Sequence, residues 1–139
     1  MKYLLDTCVL SEFIKPRPSS KLVHWLDGMD SQALAISVLS IGELQQGISR
    51  LPAGKRQNSL QQWLSQELLP RFADRVFPLE LNDAMLWGQL AGEAIARGKT
   101  LPAMDTLLAA TAIERGMILV TRNVKDFVRM PLRIFNPWE

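Results

Sequence analysis

The chain is built from short apolar runs that stop on a polar or acidic residue, with longer helix-patterned stretches between them. Few folds fit that alternation. Tyr3-Leu4-Leu5 runs into Asp6-Thr7, Ala33-Leu34-Ala35-Ile36 leads to Ser37 and then Glu43, and Met117-Ile118-Leu119-Val120 leads to Thr121, Asn123 and Asp126. A fourth stretch, Pro102-Ala103-Met104, enters Asp105 where a helix begins. Apolar runs this short, with polar punctuation at each end, read as strands buried on both faces. The pattern predicts strands over 2–5, 33–36, 75–77, 118–120 and 132–135. It predicts helices over 8–14, 20–28, 37–50, 55–68, 81–97 and 102–115, the first two separated by Lys15-Pro16-Arg17-Pro18-Ser19. Strands alternating with helices imply an α/β fold whose parallel central sheet is covered on both faces, with right-handed crossovers. At 139 residues this is one domain, residues 1–139, large enough to bury roughly two-thirds of its unfolded surface.

In such sheets, sites lie beyond the carboxyl ends of the strands. Asp6, Asn123 and Asp126 follow strand ends, Glu43 lies about two turns into the helix after the second strand, and Asp105 sits in a first helical turn. Each acid also has a plainer role open to it. Asp6 can cap the next helix, Asp105 can favour a helix dipole, Glu43 can be an exposed helix residue, and Asp126 can make a surface ion pair. Glu43, however, has Ile41, Leu44 and Ile48 around it, and a lone ionised Glu on a buried helix is costly. Carboxylates gathered at one sheet edge are unstable without a cation.

The rest of the composition narrows the choice of ion. There is no His or Cys cluster for zinc and no glycine-rich phosphate loop. The single histidine, His24, lies in the amphipathic row Leu22-Val23-His24-Trp25-Leu26, and Cys8 reads as a small buried apolar group. A hard cation on oxygen ligands, Mg²⁺ or Mn²⁺, remains. Hydrophobic content of 47% with 22% charged residues argues against disorder. A net charge of +2 permits a polyanionic partner without demanding one. One cysteine fits a reducing cytoplasm. The start does not resemble a signal peptide, and no apolar run approaches the ~20 residues of a membrane span.

Five segments, in order, carry a family resemblance: Leu4-Leu5-Asp6-Thr7, Ser40-Ile41-Gly42-Glu43-Leu44, Leu101-Pro102-Ala103-Met104-Asp105, Leu119-Val120-Thr121-Arg122-Asn123 and Asn136-Pro137-Trp138-Glu139. Together they resemble PIN-domain ribonucleases, and within them the VapC toxins of type II toxin–antitoxin systems, in the FitB-like branch. The resemblance spans essentially the whole chain. It implies a three-layer α/β/α PIN-like fold, Mg²⁺- or Mn²⁺-dependent cleavage of RNA, and inhibition by a cognate antitoxin. It also implies contact with operator DNA only through that antitoxin, a homodimer, and no membrane. Carried over by position, the metal-site acids are Asp6, Glu43 and Asp105. The fourth acid of the family falls where this chain has Asn123, so either Asn123 or the nearby Asp126 fills that place. Position 8 is often Asn in the family and is Cys here.

On this reading one or two ions, about 4 Å apart in the paired version, serve phosphodiester hydrolysis. Thr121 or Ser37 orients a ligand or simply caps a strand end. Lys15, Arg17, Lys99, Arg122 and Lys125 either hold RNA backbone or are solvated surface charge. The apolar residues Leu22, Trp25, Leu26, Leu60, Trp63 and Leu64 are expected to leave surface for the antitoxin. Two rivals fail. A haloacid-dehalogenase phosphatase needs a second Asp where Cys8 stands, and a receiver domain needs an acidic pair near strand one. A catalytically weak PIN-fold module acting through antitoxin and DNA complexes stays open because of Asn123.

Overall fold

The computed structural model describes residues 2–139. Five strands form one sheet: β1 (Tyr3–Leu5), β2 (Leu34–Ser37), β3 (Val76–Phe77), β4 (Ile118–Val120) and β5 (Ile134–Phe135). Their order is β3-β2-β1-β4-β5 and every pairing is parallel. Leu4, Leu5, Ile36, Leu119 and Val120 are completely buried, which is why their runs carry no polar alternation. Burying each such side chain stabilises the fold by roughly 2 kcal/mol.

Successive strand residues face opposite ways. Leu5, Ile36 and Val120 enter a core with Val9 and Leu10 of α1 (Thr7–Glu12), Leu22 of α2 (Ser20–Asp27), and Leu44 and Ile48 of α3 (Val38–Ser49). Leu64, Leu68 and Phe72, beyond α4 (Lys55–Gln62), complete that layer. Leu4, Ala35 and Leu119 enter the opposite core with Leu108, Ala109 and Ala112 of α7 (Ala103–Glu114). Helix α6 (Leu81–Ala96) packs against α7. The result is the expected three-layer α/β/α arrangement.

Two details differ from the sequence reading. The helix expected over 55–68 is α-helical only to Gln62. Trp63–Leu68 form a π-helical segment, followed by the short turn α5 (Leu69–Arg71). Residues four apart advance about 40° around an α-helix, so Leu64, Leu68 and Phe72 would drift off one face. The wider π turn keeps all three in the core, just ahead of Pro70, which has no N–H to donate. The second difference is where apolar surface is left over. Leu22 and Leu64 are sealed in the core, and Trp25, Leu26, Leu60 and Trp63 pack against it half-buried. Leu81, Met85 and Ile95 of α6 are instead 74%, 65% and 66% exposed. The excess sits on α6 because α7 covers only one side of that helix.

Candidate functional site

Parallel pairing brings the carboxyl ends of β1 and β4 side by side, and Asp6 N–H donates to Val120 O at 3.0 Å. Asp6 is the N-cap of α1. Its Oδ1 accepts from Thr7 N–H at 2.7 Å and its Oδ2 from Thr121 Oγ1 at 2.8 Å. The plainer capping role is therefore real, and it leaves the carboxylate fixed at the sheet edge. Burial pushes the Asp6 carboxyl above its usual range, and the hydrogen bonds from Thr121 and Thr7 only partly offset this.

Glu43 is one of the half-buried residues of α3. Its Oε1 accepts from Thr7 Oγ1 at 2.7 Å, so a single residue, Thr7, ties both acids together. That link spans 36 positions in sequence and no local signal announces it. Asp105 lies in the first turn of α7. Burial first, and then the charges of Asp6, Asp126 and Glu43, push its carboxyl up to about 6. Asp126, exposed in a 3₁₀ turn over Val124–Asp126, also raises Asp6. The charges of Asp6, Glu43 and Asp126 thus converge on Asp105.

Asn123 contributes differently: its backbone N–H donates to Thr121 Oγ1 at 3.0 Å, steadying the hydroxyl that holds Asp6. Cys8 sits against the same group, its Sγ 3.6 Å from Thr121 Oγ1 and 3.8 Å from Asp6 Oδ2. Burial and the Asp6 charge push its thiol up, which disfavours the thiolate a nucleophile needs. Ser37 caps α3 through Leu39 N–H, and His24 is exposed in the last turn of α2. Lys15 pairs with the buried Glu12, whose other oxygen accepts from Ser19 N–H. Glu12 and Asp83 are buried acids that the sequence reading passed over.

Among the described residues, no Lys or Arg forms an ion pair with Asp6, Glu43, Asp105 or Asp126. The donor set is oxygen and the charge is uncompensated, which suits a hard divalent cation. As they stand, no three His, Cys, Asp or Glu side chains among the described residues are gathered tightly enough to hold a metal.

The PIN domain profile matches residues 3–131. The chain belongs to the PIN-domain family. Within that family this PIN domain falls among the FitB and VapC toxins. It is 36% identical to toxin FitB of Neisseria gonorrhoeae over 135 residues, covering 97% of each chain. It is also 36% identical to the VapC ribonuclease Y4jK of Sinorhizobium fredii over 136 residues, covering 98% of this PIN domain and 97% of the relative. A solved structure of FitAB bound to an IR36 DNA fragment superposes with a TM-score of 0.90 at 34% identity, covering 99% of this PIN domain and 96% of that chain. No helix among the described residues is long and apolar enough to cross a membrane.

Proposed function

We propose that this PIN domain is the toxin of a type II toxin–antitoxin pair and hydrolyses RNA phosphodiester bonds with the help of Mg²⁺ or Mn²⁺. One observation carries the reading: Asp105, raised to about 6 by burial and three other carboxylates, forms no ion pair with a Lys or Arg among the described residues. A cluster that repels itself is a poor structural device and a good ligand set. Asp6, Glu43 and Asp105 would hold the ion, with Asp126 as the fourth acid. When bound, such an ion activates water and neutralises phosphate charge.

The protein's own groups do the positioning. Thr121 and the Thr7 N–H fix both oxygens of Asp6, and the Thr7 hydroxyl holds Glu43. Asp105 and Asp126 flank them, and the charges of Asp6, Asp126 and Glu43 meet at Asp105. Asn123 acts through the Thr121 hydroxyl rather than as a ligand.

Partners follow from the same cleft. A groove of about 180 Å³ runs from Thr7 and Glu43 along Leu44, Ile48, Leu60 and Trp63. An antitoxin tail would lie there, with an Arg reaching the acids through charge-assisted hydrogen bonds and blocking the ion. Operator DNA is met only through that antitoxin, in keeping with the FitAB relative seen on DNA. The exposed apolar residues of α6 would seat a second copy. The cytoplasm, where RNA and a single unpaired cysteine are both at home, is the place of action.

The test is cleavage of labelled RNA by the purified chain in Mg²⁺, in Mn²⁺ and in chelator, with Asp6→Asn alongside. Metal-dependent cleavage that Asp6→Asn removes is expected. A protein that binds its antitoxin yet cuts nothing would favour the interaction-module reading instead.

A further inference from the structure

Outside the acid cleft, Arg97, Lys99 and Arg129 line a single cavity of about 450 Å³, with Leu90, Leu101 and Met130 among its apolar walls and no acidic residue. None of the three cations forms an ion pair among the described residues, whereas Lys15, Arg75 and Arg115 do. Two of them are held in place by the end of α6. Gly98 takes the left-handed conformation, with φ 75°. Gly98 N–H donates to Ile95 O at 2.9 Å and Lys99 N–H to Ala94 O at 2.8 Å. That bond pair closes a helix and turns the chain back on itself, so Arg97 and Lys99 bracket a fixed turn.

The two segments that carry these cations also carry two of the acids. Lys99 lies six residues before Asp105, and Arg129 lies three residues after Asp126. Chain reach limits those separations to about 20 Å and about 10 Å. The cavity residues Lys99 and Arg129 therefore stand within one short stretch of chain from Asp105 and Asp126.

Three like charges around one cavity repel unless an anion lies between them. Apolar walls beside phosphate-seeking cations suit single-stranded nucleic acid, whose sugars and bases want contact while its phosphates want charge. We propose that this cavity is a second phosphate-binding subsite, which grips the RNA strand a few nucleotides from the bond lying over the acids. The proposal rests on the nuclease reading for its substrate.

The test measures binding of a fluorescent oligouridylate of about 12 nucleotides to the full chain in chelator, from about 50 to 200 mM salt. The triple variant Arg97→Gln/Lys99→Gln/Arg129→Gln changes only exposed side chains. It should bind at least about tenfold more weakly, and its salt slope should fall by about 2, the share of three phosphate contacts on a single strand. A control of equal charge change, Lys2→Gln/Lys21→Gln/Arg50→Gln, should bind as the unmodified chain does. In Mg²⁺, a dinucleotide too short to reach the cavity should be cut equally by both proteins, and the long strand more slowly by the cavity variant. Unchanged binding by the cavity variant, or an equal loss in the control, overturns the subsite. So does a variant that keeps RNA but loses its antitoxin, since the cavity then takes an acidic peptide. Should the unmodified chain cut nothing while the binding difference persists, the nuclease reading fails and the subsite stands.

Discussion

Asp83 and Asp6 are both nearly sealed from solvent, at 1% and 6% exposure, yet they are treated in opposite ways. Asp83 receives Arg115 through both oxygens, at 2.7 and 3.0 Å, and also accepts from Glu80 N–H. Burial works against its charge, but those hydrogen bonds and the Arg115 charge outweigh burial, and its carboxyl lies below the usual range. Asp6 has hydroxyl, thiol and amide donors and no cation, and its carboxyl is raised. A buried acid with a partner clamps α6 to α7. A buried acid without one has its charge disfavoured by its own surroundings, with the Asp126 carboxylate adding to the effect.

That contrast fails first if Asp6 proves dispensable. Asp6→Asn should cut RNA cleavage by at least about a thousandfold, on the scale of losing a group that stabilises transition-state charge. It should leave the chelated protein folded and no less stable. Cleavage at the normal rate in Mg²⁺ would show that the metal-site assignment is wrong. On the clamp side, Arg115→Ala should leave Asp83 buried and unpaired and cost about 3 kcal/mol in denaturant unfolding. A loss of activity at unchanged stability would instead tie Arg115 to the site.

Smaller effects sharpen the picture. Asp126→Ala should slow cleavage about tenfold under saturating Mn²⁺, a loss on the scale of about 1.4 kcal/mol, and Asn123→Ala should slow it less. If only the Asn123 change is damaging, the fourth position is where the family places it.

The raised carboxyl of Asp105 also has a signature in stability. Its folded state favours the proton, so the stabilisation is present below the ordinary carboxylate range and lost as pH rises through about 6. In chelator the melting temperature should therefore fall as pH rises from about 4 to about 6, and the likewise raised Asp6 adds to that fall. Asp83 and Glu12, with lowered carboxyls, act only at more acid pH. Asp105→Asn should flatten that slope. Last, His24→Ala should change cleavage by no more than about twofold, as for a substitution away from the machinery, and Cys8→Ser, which keeps a donor beside Asp6, should retain most activity.

The strands were legible because a parallel sheet buries both faces, so Leu4-Leu5 and Leu119-Val120 read as unbroken apolar runs. The acids were legible for a related reason: sites in such sheets lie past the strand ends, where Asp6 and Asp126 stand. What could not be read was anything set by distance in space. Thr7 meets Glu43 only because α1 and α3 pack together. Arg115 finds Asp83 across 32 positions. The π segment at Trp63–Leu68 answers to the core rather than to local propensity. Leu60, Trp63 and Leu64 share helical spacing, which says nothing of how much of each the core consumes.

One hydrogen bond described above, from Thr121 to Asp6, joins residues 115 positions apart. During synthesis Asp6 must wait for those intervening residues before β4 can dock beside β1 and supply its hydroxyl partner. A fragment ending ahead of Val120 contains Asp6, Glu43 and Asp105 but has no strand to line up the first of them. On the nuclease reading, the site is not assembled until β4 has been made, so such a fragment should cut no RNA.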